Sequence, residues 1–302
     1  MLKGLVITPP VLGRISIGRV IEKAGKRLPE KDDQFTITSQ VQGAEGWLPH
    51  PFDEGFRKAQ GGKIRAIPIR LLFNDPDLNF RAEYALFDRR TGRPVCVGNG
   101  ESSKRRTESG VQSLPCPSPE GCTLAQNGAC KPYGRLNVLI GDDDPLGSFV
   151  FRTTGFNSIR TLSARLAYFQ AISGNRLAYL PLELRLRGKS TRQSMGTPIY
   201  YVDLTVRSGV SVEDALTEAK RLEADRQEAG FDQVALETAA RQGFSNGAFE
   251  ESDEEGDAVV EEFYPEGDGG QGDLGVASEK SAAPSLADKL EDRVVRLGSD
   301  VV

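Results

Sequence analysis

Histidine is almost absent: His50 is the only one in 302 residues, which excludes multi-histidine metal centres and chemistry that needs two imidazoles. Long apolar runs are absent too. Stretches such as Val138-Leu139-Ile140 are far too short to cross a bilayer. Met1-Leu2-Lys3-Gly4, leading into Val6-Ile7-Thr8-Pro9-Pro10, lacks the apolar core of a signal peptide. There is no P-loop, G-x-S-x-G, H-E-x-x-H or dinucleotide fingerprint, so nucleotide-dependent and hydrolytic enzymes lose their usual signatures. These absences point to a cytoplasmic protein that is not an enzyme.

Charge is present and unevenly divided. Residues 246–302 carry 16 acidic and 4 basic side chains, a net of -12, whereas residues 1–210 carry 30 basic against 19 acidic, a net of +11. A basic body with an acidic tail suits a polyanionic or acidic partner, and it also suits plain solubility.

The pattern along the chain reads as α+β, with two β-rich lobes. Residues 1–34 read as an arm with at most one short strand. The first lobe, 35–95, holds the alternating strand Phe35–Val41, a second across Lys63–Phe73 with Pro68 marking an edge or bulge, and a third over Phe80–Asp88. The second lobe, 135–210, holds strands at Arg135–Ile140, Ser148–Thr154, Tyr179–Arg187 and Pro198–Arg207. Between them Ile159, Leu162, Leu166 and Phe169 recur at helical spacing after Asn157, a suitable N-cap. Ile67-Pro68-Ile69 and Leu180-Pro181-Leu182 rhyme, as a duplication or chance would allow. Residues 211–244 read as helical. Residues 245–302 read as an acidic disordered tail, with a short helix over Ser285–Leu297.

The four cysteines lie within 35 residues, in the loop 96–134: Cys96, Cys116, Cys122 and Cys130. Thiolates are soft donors, and four of them close a tetrahedral zinc shell with no open position, a structural site rather than a catalytic one. Disulfides and free thiols are the alternatives; a reducing compartment disfavours the first. The Gly-, Pro- and Ser-rich composition of the loop calls for such a staple, and a zinc knuckle between the lobes is the expectation.

Around these cysteines the sequence resembles a known family. Cys116-Pro117-Ser118-Pro119-Glu120-Gly121-Cys122, then Cys130-Lys131-Pro132-Tyr133-Gly134-Arg135-Leu136, is similar to the recombination directionality factor-like proteins of phages and integrative elements. Cys96-Val97-Gly98-Asn99-Gly100 resembles the family's Cys-x-Gly-x-Gly segment. Thr153-Thr154-Gly155-Phe156-Asn157-Ser158-Ile159 resembles its helix start, and Leu180-Pro181-Leu182 its following strand. The resemblance spans roughly residues 35–207. It implies a bacterial cytoplasmic accessory protein that binds a site-specific integrase, DNA or both to favour excision. Members are also labelled hydrolases or metal-binding proteins.

Two basic clusters are candidate contacts for DNA or a recombinase: Lys104-Arg105-Arg106, and Arg185, Arg187, Lys189 and Arg192, the first three on one strand face. Each could equally be a solvated sheet face. Trp47, His50, Phe52 and Phe56 could stack on bases but suit the covered end of a sheet better. Asp142-Asp143-Asp144 could hold a divalent cation but suits a polar turn. Two other functions remain open: a single-stranded DNA-binding replication or conjugation protein, and a metal-dependent hydrolase.

Overall fold

A computed structural model describes residues 10–23, 26–43, 46–142, 147–190, 198–244, 259–260 and 263. Among the described residues, twelve strands form one hydrogen-bonded network with six α-helices around it. In chain order the elements are β1 (Val11–Lys23), β2 (Lys26–Gly43), β3 (Gly46–Pro49), α1 (Pro51–Ala59), β4 (Ala66–Arg70), α2 (Pro76–Asn79), β5 (Phe80–Phe87), β6 (Pro94–Gly98), β7 (Ser102–Thr107) and β8 (Gly110–Pro115). There follow α3 (Ser118–Gly121), β9 (Lys131–Ile140), β10 (Ser148–Thr153), α4 (Phe156–Ile172), β11 (Leu182–Lys189), β12 (Ile199–Val206), α5 (Val212–Glu228) and α6 (Gln233–Phe244).

The main sheet runs β3-β2-β1-β10-β9-β5-β6-β7-β8, and a second ladder, β12-β11-β4, joins it through the last residues of β9. The architecture is α+β, as expected, but the two lobes are one structure. β5 pairs along β9, and β4 pairs with both β11 and β9, so strands of 35–95 and 135–210 interleave. The physical reason is burial. Each segment alone has one apolar strand face to cover, and the other segment covers it.

The expected N-terminal arm is instead the long hairpin β1–β2, whose first strand runs parallel to β10. Ile15 and Ile37 sit opposite each other in it with about 1% or less of their surface exposed. Pro68 does not mark an edge, because β4 is flanked on both sides. The β9 ladder begins only at Ile69, so the missing N–H at Pro68 costs it no rung. The rhyming segments pair with each other, Ile67 opposite Leu184 and Ile69 opposite Leu182.

The core lies between the inner face of the main sheet, the β4-β11-β12 ladder and α4. Phe35, Leu136, Val138, Phe149 and Phe151 meet Ile159, Leu162, Leu166 and Phe169 of α4 and Leu184, Val202 and Leu204 of the second ladder. The 3.6-residue spacing read from the sequence is the buried stripe of α4. Residues 211–244 are helical as expected, and the Ser211 side chain caps α5 by accepting from the Asp214 N–H. The terminal helix expected at Ser285–Leu297 lies outside the described residues. The tail is not wholly without structure: Val259 and Phe263 are helical and fully buried against the sheet. Among the described residues no helix is long and apolar enough to cross a membrane.

Candidate functional site

The cysteine segment contains far more order than its composition suggests. β6, β7 and β8 extend the main sheet as an antiparallel meander, and three of its turns use glycine at positive φ (Gly92, Gly100, Gly110). Cys96 lies on β6 directly opposite Arg105 of β7, and the Arg105 guanidinium donates a hydrogen bond to its sulfur. That bond, together with the nearby Cys122 and Cys116, holds Arg105 more firmly in its charged form against the opposing effect of burial.

Cys116 follows β8, and its backbone N–H donates to the Glu101 carbonyl at 2.9 Å. Its Sγ comes within 2.8 Å of the point where a Cβ on Gly98 would stand. Cys122 follows the single turn α3, and Cys130 immediately precedes β9. All four are half-buried free thiols. Burial pushes the Cys130 thiol up to about 12, and the neighbouring Cys96, Cys122 and Cys116, with Glu120, add to the rise. The sheet register and the segment between β8 and β9 thus leave the four thiols near enough to act on one another's charge. They are not closed into a coordination shell: among the described residues no three His, Cys, Asp or Glu side chains are grouped so as to hold a metal ion.

The basic clusters fare differently from one another. Lys104, Arg105 and Arg106 alternate along β7, so Arg105 turns to the cysteines while Lys104 and Arg106 turn to the opposite face. They are therefore not one cluster. Arg185, Arg187 and Lys189 do share one face of β11, but each is engaged within the fold. Arg185 pairs with Glu183 and Ser208, Arg187 reaches Asp203 at 3.3 Å, and Lys189 donates to Asn157 at 2.8 Å. Glu183 is held below the usual carboxylate range even though burial alone would raise it, because Arg185 and Ser208 hydrogen-bond its oxygens. Arg192 lies outside the described residues.

His50 caps α1, its Nδ1 accepting from the Phe52 N–H at 3.2 Å, and its ring packs edge-on to Phe149 at 4.9 Å. Burial lowers its pKa, in keeping with a neutral imidazole that accepts. The segment Gly46–Phe56 is β3 and the start of α1. The buried Asp53 pins α1 to β2 by accepting from the Ile37 N–H at 2.8 Å. Trp47 instead lies under Arg14, whose guanidinium carbon is 3.6 Å from the ring centroid. Asp142 is an ion-pair hub. Hydrogen bonds from Arg207 and then Arg70, opposed by partial burial, bring its carboxyl down to about 2. Asp143 and Asp144 lie outside the described residues.

The segment read as a helix start ties α4 to the strands. Gly155, not Asn157, holds the cap position, and its N–H donates to Thr153 Oγ1 at 3.0 Å. Asn157 instead accepts from Lys189 of β11, and Ser158 accepts from the Val202 N–H of β12 at 3.1 Å. The family model of the Gp3-like, recombination directionality factor-like proteins matches residues 12–207, the span from β1 through β12. The chain belongs to this family. No curated protein and no solved structure matches the chain.

Sequence reasoning missed a set of arginines on the outer face of the main sheet: Arg14, Arg81, Arg135 and Arg152. The available signal was an arginine flanked by core residues in a strand, as in Phe80-Arg81-Ala82 or Phe151-Arg152. Alternation puts such a residue on the face away from the core.

Proposed function

We propose that this protein is a directionality factor. It binds the site-specific integrase of a mobile element and biases the integrase–DNA assembly toward excision without itself catalysing a reaction. The family match over residues 12–207 carries this reading. Such a bias is a population shift. To turn an assembly from about 1:99 to 99:1, the factor must bind the excision-competent form about 10⁴-fold more tightly than the other.

The test is recombination in vitro with the purified integrase of the same element, on excision and on integration substrates. The expected result is stimulated excision and reduced integration, saturating at a fixed ratio of factor to integrase. An unchanged balance at any ratio would reject the reading.

The same reading includes one structural zinc ion per chain, taken up by Cys96, Cys116, Cys122 and Cys130 with closure of the knuckle around it. Four soft donors in one neighbourhood support it, and so does the absence of a side chain on Gly98, which leaves room for Cys116. Ligands must lose their protons on binding, so zinc uptake would release protons and weaken in acid. Held by these four cysteines, such an ion would cross-link β6, the end of β8, α3 and the start of β9.

A further inference from the structure

The main sheet has two unlike faces. On the face away from the core, Arg152 of β10 stands directly opposite Arg135 of β9, and Arg135 directly opposite Arg81 of β5. Arg14 of β1 lies beside them, opposite Val150. Four residues earlier on β9, Lys131 opposes Ala85, Ala85 opposes Val97, and Val97 opposes Lys104. Like charges set directly opposite repel. Arg14 and Arg152 are only 5% and 6% exposed, and guanidinium groups so shielded require counter-charge. Glu83 supplies some, 3.5 Å from Arg81, and none of the four arginines is without a partner.

The same face carries an apolar patch of Ala85, Phe87, Val97 and Tyr133, and Val259 and Phe263 fill it. The Phe263 ring meets Phe87 edge-on at 4.9 Å and Tyr133 at 5.9 Å, with Lys131 Nζ 5.8 Å from its centroid. These two anchors belong to a stretch, 242–279, that contains no Lys or Arg. Asp257, Glu261 and Glu262 stand within two residues of an anchor along the chain.

We infer that the outer face of the main sheet is a docking site for an acidic peptide with an aromatic anchor. The chain fills this site in cis with its own residues around Val259 and Phe263, and so holds it closed to a partner segment of the same chemistry. A peptide fits better than a nucleic acid, because the cationic rows adjoin an apolar pocket that already takes a phenylalanine edge-on, and a phosphate backbone has nothing to place there. Because the segment belongs to the same chain, it meets the site at an effective concentration in the millimolar range, so an outside peptide competes poorly until the anchors let go. The inference rests on this face and segment alone and holds whether or not the partner is an integrase.

The test uses a fluorescent synthetic peptide of residues 249–269 and two full-length proteins, the natural chain and Val259→Ser/Phe263→Ser, with melting curves to confirm that both fold. The double variant should bind the peptide at least about tenfold more tightly than the natural chain, and less tightly as salt rises. Adding Lys104→Ser and Lys131→Ser should weaken that binding, and a peptide carrying the two serine changes should not bind. A second measurement needs no variant: millimolar peptide should speed amide exchange at residues 258–264 of the natural chain. Equal peptide binding by both proteins, no binding by a folded double variant, or exchange indifferent to peptide would overturn the inference. So would a DNA duplex that displaces the peptide and binds the face more tightly.

Discussion

The Cys116 thiol occupies the space beside β6 that a side chain on Gly98 would need, its sulfur 2.8 Å from the position of that absent Cβ. The Ser103 Cβ and the Ser102 carbonyl oxygen crowd the same point, at 2.8 and 2.9 Å. A glycine on one strand therefore decides where a cysteine from the end of another can sit.

Gly98→Ala should displace Cys116 and destabilise the β6–β8 meander by about 1–3 kcal/mol, the usual cost of forcing an extra carbon into a packed site. Urea unfolding followed beside the natural protein measures this. Unchanged stability would mean that the cysteine can retreat freely.

For zinc, elemental analysis of protein purified under reducing conditions should find about one ion per chain. Cys130→Ser should lower that content and loosen residues 116–130 to amide exchange. Metal-free protein with a fully protected knuckle would exclude the ion.

Asp142 gives a dependence on acid. Its carboxyl sits at about 2, against 3.8 for the ordinary group, because it bonds Arg207 and Arg70. A depressed carboxyl contributes stability that is fully present above its unfolded value and lost as pH falls through the folded one. About half of the Asp142 side chain is exposed, so solvent screens these pairs, and Asp142→Asn should cost no more than about 1 kcal/mol near neutrality. The gap from the natural chain should narrow from roughly pH 4 downward and nearly close by about pH 2. Chemical unfolding of both proteins across that range checks the sign.

Phe263→Ala removes one of the two described residues, Val259 and Phe263, that fill the apolar patch on the outer face of the main sheet. Residues 258–264 should then lose amide protection while the melting temperature of the body stays nearly unchanged, since local release costs less than global unfolding. A large fall in that temperature would show that the segment belongs to the cooperative core.

What the sequence reveals here depends on which kind of order is asked for. Periodicity exposes α4, because Ile159, Leu162, Leu166 and Phe169 all face one core, and it exposes β5, β9 and β10 for the same reason. The strands β7 and β8 escape it: most of their residues are polar or partly exposed, and they are held by backbone pairing to a neighbour rather than by an apolar face. Charge clusters mislead where alternation is ignored. Lys104-Arg105-Arg106 looks like one patch but serves two faces, whereas Arg81, Arg135 and Arg152 look scattered and meet in register. Register between distant strands is a tertiary property that no local window contains.

The parallel pairing of β1 with β10 has a consequence for how the chain is built. Val11 and Ser148 are partners, so a ribosome must extend the polypeptide through β10 before the N-terminal hairpin can dock. Until then the inward residues of that hairpin, Ile15, Phe35 and Ile37 among them, have no cover from the rest of the sheet. Closure of so long a loop is slow compared with hairpin formation. The N-terminal ribbon is thus made first and seated late, and the waiting interval is when this protein is most exposed to aggregation and to capture by chaperones.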